Sequence, residues 1–297
     1  MQYKKLNNGL SISEVSFGCM SLKADNKDNQ SIIAEAIAGG INLFDTADLY
    51  EKGENEKLLG NALKGRRNDV LIATKVGNRW KEDGSGWDWC PDKEYILSAI
   101  DESLRRLQTD HIDLYLLHGG TIEDPADEVI EAFERLVDNG KIRGYGISSI
   151  RQNVIREYVS KGTISAVMTQ YSLLDRRPEE ETLQLLKDHN VGVLARGTVA
   201  SGLLAGKPAK EYLGLEETAV KAIQQGLLQY LPEGKTEAET AMRYVIDNDA
   251  ITTAVVGIRT QQQLQEALAA ANAVPLTNRQ RAALAGLWKG NIYSEHR

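Results

Sequence analysis

The chain has 297 residues, of which 42% are hydrophobic and 26% are charged. This composition excludes a disordered or fibrous protein and allows a large core without disulfides. Because 35 Lys and Arg stand against 42 Asp and Glu, the formal net charge is −7, and a nucleic-acid partner is not expected. The start lacks the apolar segment of a signal peptide and the chain has no long apolar run, which predicts a cytoplasmic protein without a membrane partner.

Eight short apolar runs alternate with longer amphipathic stretches along the chain. The runs predict strands over Val15–Cys19, Asn42–Thr46, Val70–Val76, Ile112–His118, Ile142–Ser148, Ala166–Tyr171, Val191–Arg196 and Thr252–Gly257. Apolar residues at three- and four-residue spacing predict helices over Ser31–Ala38, Glu54–Leu63, Asp92–Leu107, Ala126–Asp138, Gln152–Val159, Glu179–Asp188, Thr236–Ile246 and Gln261–Ala271. Eight strand–helix units predict an α/β fold, a (β/α)8 barrel in which residues 1–297 form one domain.

The remaining segments fit additions to such a barrel. Residues 1–13 predict a hairpin at the barrel bottom, and Asn278–Leu287 predicts an extra helix after the eighth unit. Two long gaps, residues 77–91 and 198–235, follow strands, so we expect them at the carboxyl-terminal face where such barrels place active sites. A doubly wound dinucleotide-binding sheet is the main alternative, but its GxGxxG motif does not follow the first strand.

Four polar residues interrupt the apolar pattern near the ends of consecutive strands. Asp45 ends the second strand, Tyr50 lies in the loop after it, Lys75 lies within the third, and His118 ends the fourth. In a barrel, all four face the same mouth. A buried lysine is costly without a paired anion, so a structural Lys75–Asp45 ion pair and a catalytic role are both open. The combination of four such residues at one mouth favours a functional site.

The blocks NLFDTADLY, LIATKVG, DLYLLHGG, YGISS, TQYSLLDR, SGLLAGK and VVGIRTQQQLQEA, in this order, resemble the aldo-keto reductase superfamily. The sequence of these blocks is most similar to that of bacterial members whose physiological substrate is uncertain. The resemblance implies a (β/α)8 barrel that reduces an aldehyde or ketone to an alcohol with NADPH. It assigns Tyr50 as general acid, Lys75 and Asp45 as its tuning partners, and His118 as the residue that orients the carbonyl. Because free tyrosine has a pKa near 10, we expect the Lys75 ammonium to lower the pKa of Tyr50.

The resemblance also implies a set of residues that bind NADP(H). In chain order these are Gly18, Cys19, Met20, Ser148, Ser149, Gln170, Arg196, Gly197, Thr198, Ala200, Gly202, Leu203, Gly257, Arg259, Gln263 and Glu266. Ser148, Ser149 and Gln170 would hold the nicotinamide carboxamide, and residues 197–203 would wrap the pyrophosphate. Arg259 would bind the 2′-phosphate beside a helix N-terminus, where backbone amides and the helix dipole favour anions.

Three positions depart from the pattern that many relatives share. Ser149 replaces an asparagine, and Ala267 replaces an asparagine next to the adenine-contacting Glu266. Arg196 stands where many relatives have a tyrosine that stacks on the nicotinamide. An arginine can stack as well or can reach the diphosphate, and both roles are open. NADP rather than NAD is the expected cofactor.

Three tryptophans, Trp80, Trp87 and Trp89, lie in the gap after the third strand. They either line a substrate pocket or form a lid on the barrel.

Two other functions compete with carbonyl reduction. One is a cofactor-binding regulatory protein, like the auxiliary subunits of potassium channels, and the complete tetrad argues against it. A metal-dependent aldolase or hydrolase is the other, but the four histidines lie in unrelated segments and no metal is expected. The predicted partner is a small carbonyl compound.

Overall fold

The protein, a computed structural model that describes residues 1–23 and 25–297, contains a closed barrel of parallel strands. Its strands, β1 to β8, are Val15–Gly18, Leu43–Asp45, Leu71–Val76, Leu114–Leu117, Tyr145–Ser148, Ala166–Gln170, Gly192–Arg196 and Thr253–Gly257. Each strand pairs in parallel with the next, and β8 pairs with β1. The predicted (β/α)8 fold is confirmed, and every observed strand lies inside the run that predicted it.

A helix follows each strand on the outside of the barrel. These helices, α1 to α8, are Asn29–Ala38, Glu54–Ala62, Lys93–Leu107, Ala126–Asp138, Gln152–Lys161, Thr182–Asp188, Glu237–Ile246 and Gln261–Asn272. The predicted helices are present with shifted ends. The largest shift is in α6, which begins at Thr182 because Arg177–Glu179 form a separate 3-10 turn around Pro178; proline lacks the N–H that a continuous helix needs.

The barrel interior is filled by a small apolar cluster that a hairpin closes from below. Strands Tyr3–Lys5 and Ser11–Ser13 pair antiparallel, as predicted. Leu6, Leu10 and Ile12 of this hairpin join inward-facing strand residues such as Leu114 and Met168 in one buried cluster. A side chain on Gly192 would lie only 2.1 Å from Leu6, so the hairpin sits directly against the strand bottoms. Because apolar side chains fill the lower half of the barrel, the polar side chains lie at the opposite, carboxyl-terminal mouth.

Both long gaps contain structure that their sequence did not predict. Residues Asn78–Trp80 and Trp87–Trp89 form an antiparallel hairpin after β3, and the gap after β7 contains a helix over Glu217–Gln229. The extra helix near the end of the chain spans Asn278–Ala285, two residues shorter than predicted. In the described part of the chain, no helix is long and apolar enough to cross a membrane.

Candidate active site

Four side chains meet at the carboxyl-terminal mouth of the barrel, as the sequence predicted. Lys75 projects from β3, Asp45 ends β2, and Tyr50 begins a short 3-10 turn after it. Lys75 Nζ lies 2.7 Å from Asp45 Oδ1 and donates to the Tyr50 hydroxyl at 3.2 Å. His118 follows β4, and its ring centroid lies 5.8 Å from that of Tyr50, edge to face. The tetrad is therefore one contiguous group.

The Lys75 ammonium is buried, with 1% of its surface exposed. Its three hydrogens have three acceptors: the Asp45 carboxylate, the Tyr50 hydroxyl, and the Thr46 carbonyl at 2.7 Å. Burial alone would lower the pKa of Lys75, but Asp45 and Tyr50 together raise it above its ordinary value. The lysine is therefore a fully partnered cation at neutral pH.

Burial raises the pKa of Tyr50 above its ordinary value, while the Lys75 ammonium acts in the opposite direction. Lys75 thus acts on Tyr50 in the expected direction, but in this structure its effect is smaller than that of burial. Burial, with the positive charges of Lys75 and Arg196, lowers the pKa of His118 to about 3. At neutral pH, Tyr50 thus holds its proton and His118 is uncharged. Nδ1 of His118 is buried without a hydrogen-bond partner among the described residues.

A second layer fixes the carbonyl that Lys75 uses. The Thr46 hydroxyl donates to Asn55 Oδ1 at 2.7 Å, and Asn55 Nδ2 donates to the Cys19 carbonyl at 2.9 Å. Asn55 is 1% exposed and ties the loops after β1 and β2 together. The sequence analysis missed Thr46 and Asn55. The signal for Asn55 is a polar residue in the first turn of an amphipathic helix, and Thr46 directly follows a strand.

Two buried carboxyl groups, Glu56 and Asp48, lie beside the tetrad, and Glu56 pairs with the Arg106 guanidinium. Glu56 accepts from the Thr74 hydroxyl and from Arg106 Nε, each at 2.6 Å. Asp48 is 8% exposed, and its Oδ1 has no hydrogen-bond partner in the described part of the chain. Burial, followed by the charge of Glu56, raises the pKa of Asp48 to about 8. Since the Asp48 amide also donates to the Lys75 carbonyl at 3.3 Å, this acid lies directly beside the lysine strand.

Two of the residues predicted to hold the carboxamide, together with Arg196, end three neighbouring strands, and Ser149 directly follows the first of them. Ser148 ends β5, Gln170 ends β6 and Arg196 ends β7. Arg196 Nη1 donates to Gln170 Oε1 at 2.9 Å, and Gln170 Nε2 donates to the Tyr212 hydroxyl at 3.0 Å. Arg196 thus contacts the predicted carboxamide residue itself, a contact that neither proposed role included. Tyr212, which the sequence did not indicate, comes from a tight turn in the gap after β7, where Tyr212 and Leu215 pair.

The residues predicted to bind the cofactor phosphates would contact them mainly through backbone groups. Gly18 and Gly257 are partners in the β1–β8 register, and a Cβ on Gly18 would lie 3.2 Å from a neighbouring carbonyl oxygen. Ala200, Ser201 and Gly202 have φ of 47°, 59° and 92°, so three successive residues are left-handed. The amides of Ala200 and Gly202 donate within this turn, to the carbonyls of Gly197 and Val199, each at 2.8 Å. Cys19, Thr198 and Leu203 are buried, whereas Met20 is 63% exposed.

Arg259 is exposed and makes no ion pair with any described residue. Its amide donates to Gln263 Oε1 at 3.0 Å, and Thr260 caps the N-terminus of α8. Glu266 accepts from Gln262 at 3.0 Å on the same helix. An unpaired guanidinium beside a helix N-terminus fits a phosphate group.

The tryptophan hairpin contacts the barrel through both of its strands, since Asn78 Nδ2 donates to the His118 carbonyl at 3.3 Å. Trp89 Nε1 donates to Asp124 Oδ1 at 2.9 Å, and the Trp89 ring packs over Gly77 and Gly119. Trp80 pairs in register with Trp87, which is 49% exposed. Trp89 therefore has the contacts of the lid interpretation, whereas Trp87 keeps an apolar surface exposed to solvent.

The protonation of Asp48 predicts a specific pH dependence of stability. Its pKa is about 8 in the folded protein, against an ordinary value of 3.8. Between these values the folded state binds the extra proton, so Asp48 makes the free energy of unfolding fall as pH rises, by up to about 1.4 kcal/mol per pH unit. Asp48→Asn lacks this proton. Urea unfolding at about pH 5 and pH 8 should show a smaller loss for the variant; equal losses would place the proton elsewhere.

Known proteins match the chain over nearly its whole length. The model of the Aldo/keto reductase family matches residues 14–289. An uncharacterized oxidoreductase, YqkF of Bacillus subtilis, is 47% identical over 100% of both chains. The holo form of the aldo-keto reductase AKR11C1 from Bacillus halodurans has a TM-score of 0.95 and 46% identity, covering 100% of this chain and 99% of its own.

Two further relatives carry a cofactor in their names. Aldo-keto reductase yakc [NADP(+)] of Schizosaccharomyces pombe is 32% identical over 68% of this chain and 62% of its own. The NADH-specific methylglyoxal reductase of Escherichia coli is 34% identical over 61% of this chain and 59% of its own. By sequence and by fold, the chain belongs to the aldo-keto reductase family, whose chemistry is the oxidation and reduction of carbonyl compounds.

Proposed function

We propose that this protein reduces small aldehydes or ketones to alcohols with NADPH, and that Tyr50 is the general acid. The contact between the Tyr50 hydroxyl and the buried Lys75 ammonium, 3.2 Å long, carries the proposal. It combines a hydroxyl that keeps its proton at neutral pH with a cation that stabilises the anion left after proton transfer. A structural ion pair alone would need only Asp45 beside Lys75.

A nicotinamide cofactor bound at this mouth would supply a hydride to the carbonyl carbon. Tyr50 then donates its proton to the carbonyl oxygen, where negative charge develops. Lys75 stabilises the resulting tyrosinate, and Asp45 keeps the lysine charged and in place. His118, uncharged at neutral pH, can orient the carbonyl by hydrogen bonding without competing as an acid. Solvent returns a proton to Tyr50 after the alcohol leaves.

The choice of NADPH over NADH depends on Arg259. A 2′-phosphate brings about two negative charges, by analogy with other phosphomonoesters, to a protein whose net charge is −7. Local positive charge must therefore supply the attraction, and the exposed Arg259 guanidinium beside the α8 N-terminus supplies it. Relatives named for NADP(+) and for NADH both exist, so this choice has to be decided by this chain's own residues.

Replacing Tyr50 with phenylalanine removes the proposed proton donor and little else. General acid–base assistance contributes roughly 10²–10⁴-fold, so turnover of Tyr50→Phe should fall by at least that factor. The affinity for NADPH should stay within about twofold, because the hydroxyl is not needed to hold the cofactor. NADPH oxidation over a panel of aldehydes, ketones and quinones measures the first quantity, and fluorescence titration measures the second. Comparable turnover in a variant that still binds NADPH would reject Tyr50 as the acid.

Replacing Arg259 with alanine tests the choice of cofactor. A hydrogen bond to a charged group contributes roughly 1.5–3 kcal/mol, which corresponds to about ten- to hundredfold in affinity. Arg259→Ala should weaken NADPH binding by that factor and leave NADH binding almost unchanged. Arg279→Ala is a matched control, since Arg279 is an exposed arginine in the first turn of the helix Asn278–Ala285. Equal losses for NADPH and NADH would show that Arg259 does not bind the 2′-phosphate.

A further inference from the structure

The imidazole of His118 is not held by a hydrogen bond at Nδ1, which is buried without a partner among the described residues. Its ring meets that of Tyr50 edge to face, with the two centroids 5.8 Å apart. A contact of this kind adds only modestly to packing. The direction of the imidazole therefore depends on the backbone that carries it.

That backbone is fixed on one side by the barrel and on the other by a different loop. The amide of His118 donates to the Val76 carbonyl at 2.7 Å, directly after the last paired residues of β3 and β4. The chain then leaves the barrel through Gly119 and Gly120, which have φ of 140° and 115°, values that favour glycine. Neither glycine has a side chain that could hold this turn. The carbonyl of His118 instead accepts from Asn78 Nδ2 at 3.3 Å.

Asn78 is itself firmly placed. It is 5% exposed and begins the tryptophan hairpin, in which it pairs in register with Trp89. Beside this pair, the Cys90 amide donates to the Gly77 carbonyl at 2.7 Å. The Tyr95 hydroxyl on α3 donates to the Asn78 carbonyl at 3.4 Å. The base of the hairpin is thus held on both sides, and the Asn78 side chain is a fixed donor.

Trp89 holds the same two loops together from the other strand of the hairpin. A Cβ on Gly77 would lie 2.8 Å from the Trp89 ring, and one on Gly119 would lie 3.5 Å from it. The indole N–H donates to Asp124 Oδ1 at 2.9 Å, in the loop after β4. The ring therefore lies across the loops after β3 and β4 and covers the residue that directly follows the histidine.

We propose that Asn78 is a positioning residue for His118. Its side-chain amide fixes the His118 carbonyl, and thereby the direction from which the imidazole reaches the carbonyl group of the substrate. This inference rests on the proposed function, in which His118 orients that carbonyl. It adds to the tetrad a residue that the sequence analysis did not single out, and it gives the base of the hairpin a role in the reaction.

The first test observes the imidazole directly, in the protein without cofactor or substrate. Proton NMR resolves the ring resonances of the four histidines, and their loss in His118→Ala assigns those of His118. Asn78→Ala should shift the His118 resonances, because the ring moves relative to the aromatic ring of Tyr50. The resonances of the other three histidines should stay in place.

The second test asks whether Asn78 acts through His118. In the wild-type background, Asn78→Ala should lower kcat/KM for the carbonyl substrate about three- to tenfold, the usual range for one neutral hydrogen bond. NADPH affinity should stay within about twofold. In the His118→Ala background, the same change should cost less than about 1.5-fold, since the residue through which it acts is gone.

Asn7→Ala is the matched control. Asn7 Nδ2 also donates to a backbone carbonyl, that of Ile164 at 2.9 Å, but from the hairpin that closes the bottom of the barrel. Removing this amide should leave both the His118 resonances and kcat/KM unchanged. If Asn78→Ala does not fold, Asn78→Leu keeps a branched side chain of similar size without the donor, and it should give the same results.

Two outcomes would overturn the inference. One is a folded Asn78 variant whose His118 resonances do not move. The other is a loss of kcat/KM that is as large in the His118→Ala background as in the wild type, because Asn78 would then act independently of the imidazole. A wild-type protein that reduces no carbonyl compound contradicts the proposed function, whereas His118 resonances displaced by Asn78→Ala would still support the positioning contact.

Discussion

The burial of the Lys75 ammonium is the constraint on which the site depends. A charge at a position with 1% exposure costs several kcal/mol unless its hydrogens are all bonded and an opposite charge lies close. Asp45, Thr46 and Tyr50 supply these partners, and the requirement fixes the loop after β2 against β3. The Tyr50 hydroxyl is consequently held at the barrel mouth by an interaction whose loss would leave the buried ammonium with an unbonded hydrogen.

The electrostatics around this lysine explain why neighbouring groups differ in protonation. The same positive charge that opposes the rise in the pKa of Tyr50 also lowers the pKa of His118. One group is therefore a protonated acid and the other a neutral imidazole at the same pH. Asp48 keeps its proton because burial, followed by the charge of Glu56, raises its pKa to about 8. The mouth thus keeps one dominant cation, which suits a reaction in which negative charge develops on oxygen.

The fold could be predicted from the sequence to a large extent, because strands buried on both faces leave nearly continuous apolar runs. Lys75 was visible as a charged residue inside such a run. The contact of Gln170 with Arg196 and Tyr212 was not visible, since it depends on how a long loop folds back onto the mouth. The hairpin that contains Trp80 and Trp87 was also missed, because its largely exposed strands do not alternate buried apolar residues with exposed polar ones. Burial of Asp48 followed from packing that local sequence does not encode.

The two ends of the proposed cofactor site are built differently. At Arg259, an exposed side chain and a helix N-terminus act directly, and the signal lies in a few adjacent residues. At Gln170, the amide is held by two side chains from later parts of the chain, Arg196 and Tyr212. A motif therefore identifies the phosphate end, whereas only the folded structure reveals what holds the nicotinamide end.

The central claim is that the buried Lys75 cation lowers the proton affinity of Tyr50 from the value that burial alone would give. The most direct measurement is the pH dependence of kcat/KM for the wild type and for Lys75→Met, with circular dichroism and NADPH titration showing that the variant is folded and binds cofactor. Loss of the ammonium removes the one large influence that lowers the pKa of Tyr50, so the apparent pKa should rise and turnover should fall. A folded, cofactor-binding Lys75→Met protein with unchanged turnover and an unchanged pH profile would contradict the account and leave Lys75 and Asp45 as a structural ion pair.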